Sequence, residues 1–222
     1  MIVKKVGCIH AHYSSNINYL EKAFSTSTIE FLHFVDPGLM HCIQPGHSLS
    51  RKNAQAKVRE QIEWVANCQV DAILITCTNY IALLEDAVVT TAVPIIKIDE
   101  PFFESLCQMK GPQTIVFSNP ATVDGTMSRL YKYATAHQKS IDIEVAVIEN
   151  SFNLIMNGLQ EEYNQKIVEC LEQLRQNNRI LSVAQLSMVE GAEQVENKTS
   201  IKIMNPLKSL KTAINNLNKS FL

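Results

Sequence analysis

The stretch Asp71-Ala72-Ile73-Leu74-Ile75-Thr76-Cys77-Thr78-Asn79-Tyr80 returns in outline as Asn178-Arg179-Ile180-Leu181-Ser182-Val183-Ala184-Gln185-Leu186-Ser187. Each copy reads as a short apolar strand, then small polar residues, then a helical pattern. The repetition predicts two related α/β halves facing each other. Cys77 falls opposite Ala184, so one half offers a thiol and the other does not.

Outward from these segments, apolar runs alternate with helical periodicity along the whole chain. Strands are expected at Ile2–Ile9, Glu30–Val35, Ala72–Thr76, Ile95–Ile98, Thr114–Phe117, Ile141–Val147, Ile180–Ala184 and Ile201–Met204. Helices are expected near 17–26, 52–67, 80–90, 100–109, 121–137, 152–176, 187–193 and 207–219. Leu159, Tyr163, Ile167, Cys170, Leu171 and Leu174 recur at steps of three and four, as do Val58, Ile62 and Val65. Strand and helix in alternation predict an α/β fold with parallel sheets joined by right-handed crossovers. In Val93-Pro94-Ile95-Ile96-Lys97-Ile98-Asp99-Glu100-Pro101, two prolines bracket one short strand, which marks the crossing between lobes. Asn205-Pro206 marks a second crossing. The expected organisation is residues 1–97 plus 206–222 as the N-terminal lobe and 98–205 as the C-terminal lobe.

Composition narrows the class. The 222 residues are 46% hydrophobic and 19% charged, ordinary for a globular chain with a real core. Twenty basic against 22 acidic residues give a net charge of −2, which supplies no field to gather nucleic acid or an anionic membrane. The lysines of the tail from Lys198 onward read as the solvated face of a last helix whose apolar stripe is Leu207, Leu210, Ile214 and Leu217. Cysteines at 8, 42, 68, 77, 107 and 170 form no CxxC pair, so reduced thiols and a cytoplasmic location are expected. The opening apolar run is short for a signal peptide, and nothing approaches the ~18 apolar residues of a membrane span.

Nucleotide signatures are missing: the seven glycines form neither G-x-G-x-x-G nor G-x-x-x-x-G-K. No H-E-x-x-H occurs, and His10, His12, His41 and Cys42 have no metal-ligand spacing, so no metal is expected. Cys77 is the stronger candidate, because ligands of open α/β sheets bind at the carboxyl ends of strands. A thiol at the start of a helix is favoured as thiolate. Thr78, Asn79 and the local N–H groups could hold a substrate carboxylate. A buried structural cysteine is the plainer alternative.

The segment Asp71–Asn79 resembles the first cysteine motif of the aspartate/glutamate racemase superfamily, which includes glutamate, aspartate and hydantoin racemases and maleate isomerase. Val93–Pro101 is similar to that family's inter-lobe crossing. Phe117-Ser118-Asn119-Pro120-Ala121-Thr122 is similar to its Thr-containing substrate loop, and Leu181–Met188 to an Ala-Gln-x-Ser-Met variant of its second motif. The resemblance implies two Rossmann-like lobes with an active-site cleft between them. It also implies cofactor-independent proton transfer at the carbon beside a carboxylate, on an amino acid, hydantoin or dicarboxylate.

Two-cysteine racemisation uses one thiol on each face of the carbon. Here Ala184 stands at the second position, and Gln185 donates hydrogen bonds but exchanges no proton at neutral pH. His10 and His12 end the first strand on the same sheet edge, and an imidazole there, titrating near neutrality, could supply the missing acid. Ser118, Thr122, Gln185 and Ser187 are candidates for substrate hydrogen bonds, or alternatively helix caps. The expected protein is therefore an isomerase with Cys77 and His10 as catalytic residues. A single-cysteine decarboxylase or lyase, or a non-catalytic carboxylate binder, is the alternative. A homodimer is the form small enzymes of this kind commonly take.

Overall fold

The computed structural model describes residues 4–11, 16–43, 49–84 and 91–220. Its contacts divide the chain into two units, Met1–Ile98 and Asp99–Leu222. The first contains β1 (Lys4–His10), α1 (Asn16–Phe24), β2 (Ile29–Val35), α2 (Pro37–Cys42), α3 (Arg51–Ala66), β3 (Ala72–Ile75), α4 (Thr78–Leu84) and β4 (Ile95–Lys97). Its sheet is ordered β2-β1-β3-β4 and every pair is parallel. Every residue of β3, Ala-Ile-Leu-Ile, is buried, which an apolar run without alternation dictates for a strand covered on both faces. Helix α3 covers one side with the buried stripe Ala54, Val58, Ile62 and Val65, and the Ser50 hydroxyl caps its start by accepting from Asn53 N–H.

The second unit contains α5 (Glu100–Gln108), β5 (Gln113–Phe117), α6 (Val123–Ala136), β6 (Ile143–Val147), α7 (Ser151–Met156), α8 (Gln160–Leu174), β7 (Ile180–Val183), α9 (Val189–Lys198) and α10 (Pro206–Ser220). Its sheet is ordered β6-β5-β7, again parallel. Alternation along β5 builds a core on each face. Val116 joins Tyr163, Ile167, Leu171, Val183 and Met188 on one side. Ile115 and Phe117 join Phe102, Leu106, Met127 and Leu130 on the other.

The expected elements differ from the observed ones in four places. The pattern at 152–176 is two helices, because Gly158 takes φ +75° and closes α7. Gly158 N–H donates to Ile155 O at 3.1 Å and Leu159 N–H to Leu154 O at 2.9 Å, the paired bonds of a left-handed helix stop. The strand expected at Ile201–Met204 shrinks to one parallel bridge between Met204 and Ser182. Ile203, whose backbone groups face away from β7, is held from the flanking helices: its N–H donates to Glu196 Oε1 at 2.6 Å and its carbonyl accepts from Lys208 Nζ at 2.9 Å. Helix α2 was not expected, although Asp36-Pro37 is a legible start. The Asp36 carboxylate accepts from Leu39 N–H at 3.2 Å, and Pro37 needs no partner for the N–H it lacks. Residues 85–90 of the helix expected at 80–90 lie outside the described residues; the observed helix starts at Thr78.

A correction concerns the domains. Residues 206–222 fall with the second unit, not the first as expected. Helix α10 packs on α5, where the Ser105 and Ser209 hydroxyls meet at 2.9 Å.

Close approach of α9 to α8 requires Gly191. A Cβ there would stand 2.8 Å from both Cβ and Cγ2 of Ile167. Gly191→Ala is expected to destabilise the protein by about 1–3 kcal/mol, read as a lower urea midpoint. An unchanged midpoint would show that α8 and α9 are not pressed together here.

Candidate functional site

The candidate residues of the first unit sit where β1 and β3 end together. Ile9 pairs with Ile75 in the parallel ladder, so His10 and Thr76 are the next residues along. Thr76 N–H donates to Ile9 O at 3.1 Å, and its hydroxyl donates to the same carbonyl at 3.1 Å. These two bonds fix the backbone immediately before Cys77. The Cys77 carbonyl then accepts from Ile81 N–H at 3.1 Å, the first helical bond of α4. Cys77 and Thr78 are half-buried at this strand-to-helix turn, and Asn79 is exposed. Tyr80, fully buried one residue further, donates its hydroxyl to Asp36 O at 3.0 Å.

His10 has a different role from the one expected. Its ring is buried, with Nδ1 2.9 Å from Thr76 Oγ1 and Nε2 2.9 Å from His33 Nδ1. His33 Nε2 in turn meets Glu21 Oε1 at 3.0 Å. Burial, reinforced by the adjacent His33, pushes His10 down to about 4. The expectation that it titrates near neutrality is therefore corrected: at neutral pH it is an uncharged ring with both nitrogens engaged. It reaches the Cys77 backbone through Thr76. His12 lies outside the described residues.

In the second unit the structure brings Ser118, Gln185 and Ser187 together. Gln185 Oε1 accepts from Ser118 N–H at 2.8 Å, Ser118 Oγ at 2.6 Å and Asn119 N–H at 3.2 Å. Tyr163, fully buried on α8, donates its hydroxyl to Ser118 Oγ at 2.8 Å and sits 2.8 Å from Ser187 Oγ. Burial raises the Tyr163 phenol, opposed by its bonds to the two serines, so it stays neutral and works as a hydrogen-bonding post. Three donors on one oxygen make a cradle of the kind an anion would occupy, and here a neutral amide fills it. The amide orientation is thereby fixed, oxygen inward. Thr122 stands apart in a turn of its own, its hydroxyl donating to Asn119 O at 2.8 Å while Ala121 N–H donates to Asn119 Oδ1 at 3.1 Å. Ala184 is half-buried and donates its N–H to Val116 O at 2.9 Å.

Sequence reasoning missed Thr76, His33, Glu21 and Tyr163. The phenol was legible: a Tyr inside the apolar stripe of α8 carries a hydroxyl that burial obliges to find a partner. Thr76 is brought in by the β1–β3 register and His33 by the β1–β2 register, which pairs it with Cys8, while Glu21 reaches His33 from α1.

The lowered His10 value carries a stability consequence with a definite sign. In the folded chain His10 stays neutral down to about 4, whereas unfolded histidine binds its proton near 6.5. Between these values the unfolded state binds more protons, so stability falls as pH falls from about 6.5 to about 4. At about 1.4 kcal/mol per pKa unit, the loss amounts to at most roughly 3 kcal/mol. His10→Asn is expected to flatten the acid limb of a pH series of urea midpoints. An unchanged limb would place the acid sensitivity elsewhere.

No protein-family model and no curated protein matches the sequence. Solved structures do. An aspartate racemase from Picrophilus torridus is 14% identical, with a TM-score of 0.69 over 95% of this chain and 94% of that one. A glutamate racemase from Francisella tularensis, solved with D-glutamate, is 17% identical, with a TM-score of 0.65 over 99% of this chain and 83% of that one. An allantoin racemase from Klebsiella pneumoniae is 17% identical, with a TM-score of 0.64 over 99% and 89%. Two parallel α/β units, read from an internal echo and found in the structure, thus give this chain the fold of these aspartate, glutamate and allantoin racemases.

Proposed function

We propose that this protein is a cofactor-independent, racemase-like isomerase that moves a proton at the carbon beside a carboxylate, with Cys77 as the reacting group. The observation that carries the reading is the placement of a half-buried thiol at the carboxyl end of the buried strand β3, in a racemase fold. The thiolate of Cys77 takes the α-proton, and the carbon's electron pair moves into the carboxylate as an enediolate. Return of a proton to the same face restores the substrate; delivery to the opposite face inverts it. Thr78 and Asn79 are the proposed substrate contacts beside the thiol. Ser118, Thr122, Gln185 and Ser187 are the proposed contacts from the second unit, with the Gln185 amide nitrogen as the group turned away from its internal cradle. His10 is a positioning residue acting through Thr76.

One observation favours a second reading. After β7 the chain offers Ala184 and Gln185, neither of which exchanges a proton. A decarboxylase or lyase that protonates one face of an enediolate needs only Cys77.

Panels of amino acids, hydantoins and dicarboxylates incubated with the protein separate the readings. Loss of optical rotation in one member supports the isomerase. Release of CO2 or formation of an alkene points to the single-thiol lyase. Neither product, with calorimetric binding of a carboxylate retained, leaves a binding protein and contradicts the proposal.

Thiol reactivity gives a second prediction. Burial raises the Cys8, Cys107 and Cys170 thiols, so they are protected at neutral pH. Cys77 is expected to alkylate ahead of these three and of the exposed Cys42, and to be slowed by substrate carboxylates. Labelling of all six together, and only on unfolding, would contradict an activated Cys77.

A further inference from the structure

Cys8, His10 and His33 offer ligand atoms that all lie within 4.8 Å of one another. Two strand periodicities bring them together. Cys8 and His10, two apart on β1, share a face, and His33 is the registered partner of Cys8 on β2. The Cys8 side chain is fully buried, and its thiol donates to Val6 O at 3.8 Å.

Each ring turns one nitrogen toward the other and has a polar partner behind it: His10 Nδ1 lies 2.9 Å from Thr76 Oγ1, and His33 Nε2 lies 3.0 Å from Glu21 Oε1. The facing nitrogens, His10 Nε2 and His33 Nδ1, stand 2.9 Å apart. In the tautomers that carry their hydrogens on His10 Nδ1 and His33 Nε2, both facing nitrogens present lone pairs and can ligate one cation. A hydroxyl or carboxylate behind each ring is also the arrangement that orients metal-bound imidazoles.

We propose that Cys8, His10 and His33 form a binding site for a divalent late transition metal, zinc by its donor set. One thiolate and two imidazoles are borderline-soft ligands suited to zinc and unsuited to magnesium or calcium. Bonds of about 2.3 Å to sulfur and about 2.0 Å to nitrogen hold tetrahedral ligand atoms roughly 3.3–3.6 Å apart. To reach that spacing the facing ring nitrogens, 2.9 Å apart, open slightly and the atoms of the cluster, within 4.8 Å of one another, close in. Charge balances as well: the thiolate of Cys8 and the carboxylate of Glu21 offset the two positive charges of the ion. On binding, the thiol proton of Cys8 leaves to solvent and the sulfur lone pair forms the metal bond. The His33 side chain, 17% exposed, is the route of entry.

The site does not depend on the proposed reaction of Cys77, and the test keeps the two apart. Metal-free full-length protein is titrated with Co2+, whose tetrahedral thiolate complexes show a near-ultraviolet charge-transfer band, and then with Zn2+ in competition. One equivalent is expected to produce the band and Zn2+ to erase it. Cys8→Ser is expected to abolish it, His33→Asn to weaken binding at least 100-fold, and Glu21→Gln to weaken it about tenfold. Cys77→Ser is expected to leave the band intact. A folded wild-type protein that gives no band joins its two histidines by a hydrogen bond alone, and the proposal fails. A band that survives Cys8→Ser, or binding unchanged in the partly exposed His33→Asn variant, overturns it equally.

Discussion

The parallel registry at the ends of β1 and β3 is the constraint on which the candidate chemistry depends. One carbonyl, Ile9 O, receives both the N–H and the hydroxyl of Thr76, so the chain leaves the sheet with no backbone freedom until Cys77. Threonine is well suited to the position: its branched side chain belongs in a strand, and its hydroxyl duplicates the ladder bond where the ladder stops. From there the helix begins at once, with the Cys77 carbonyl as its first acceptor. The thiol proposed as the reacting group therefore stands on a hydrogen-bonded turn. The same hydroxyl lies 2.9 Å from His10 Nδ1, so the thiol's backbone and the paired imidazoles rest on a single side chain.

The second unit solves the corresponding turn differently. Where β7 ends, the stabilising group is an amide: Gln185 Oε1 gathers two backbone N–H groups and the Ser118 hydroxyl, tying the end of β5 to the end of β7. Tyr163 reaches the same serine from α8, so helix and sheet are joined by a hydrogen-bonded chain inside an apolar cluster. Buried networks of this kind are costly when incomplete and rigid when satisfied. The two units therefore share a fold and differ in what stands at the strand end. That difference, thiol against amide, separates a two-thiol racemase from the single-thiol chemistry proposed for this chain.

Much of this was legible in the sequence. The apolar run Ala72–Ile75 and its echo Ile180–Val183 predicted buried parallel strands, because only a strand covered on both faces can do without polar alternation. The Asp99–Leu222 unit was less legible: α10 was expected to return to the first lobe, but an amphipathic stripe does not say which surface it will cover. At Ile201–Met204 the apolar run is legible but its edge is not: the outward backbone groups of Ile203 go to Glu196 and Lys208 on the flanking helices, partners that local spacing does not reveal. His10 lies at the end of β1 beside Thr76, but the partners of its ring come from β2 and from the end of β3, and a ring's protonation follows from such partners. Ser118 and Gln185 were read as ligand contacts. Their first partners are each other, a pairing 67 residues apart that local spacing does not reveal.

The most direct test of the account is the rate at which Cys77 exchanges a substrate's α-proton with solvent. With the best carboxylate from the panel in D2O, proton NMR reads loss of the α-hydrogen for the wild-type protein and for Cys77→Ser at equal concentration. The account predicts that the substitution lowers exchange by about 10²–10⁴-fold while the urea midpoint is unchanged. Exchange at the wild-type rate in Cys77→Ser would contradict it, and would remove the thiol from the chemistry.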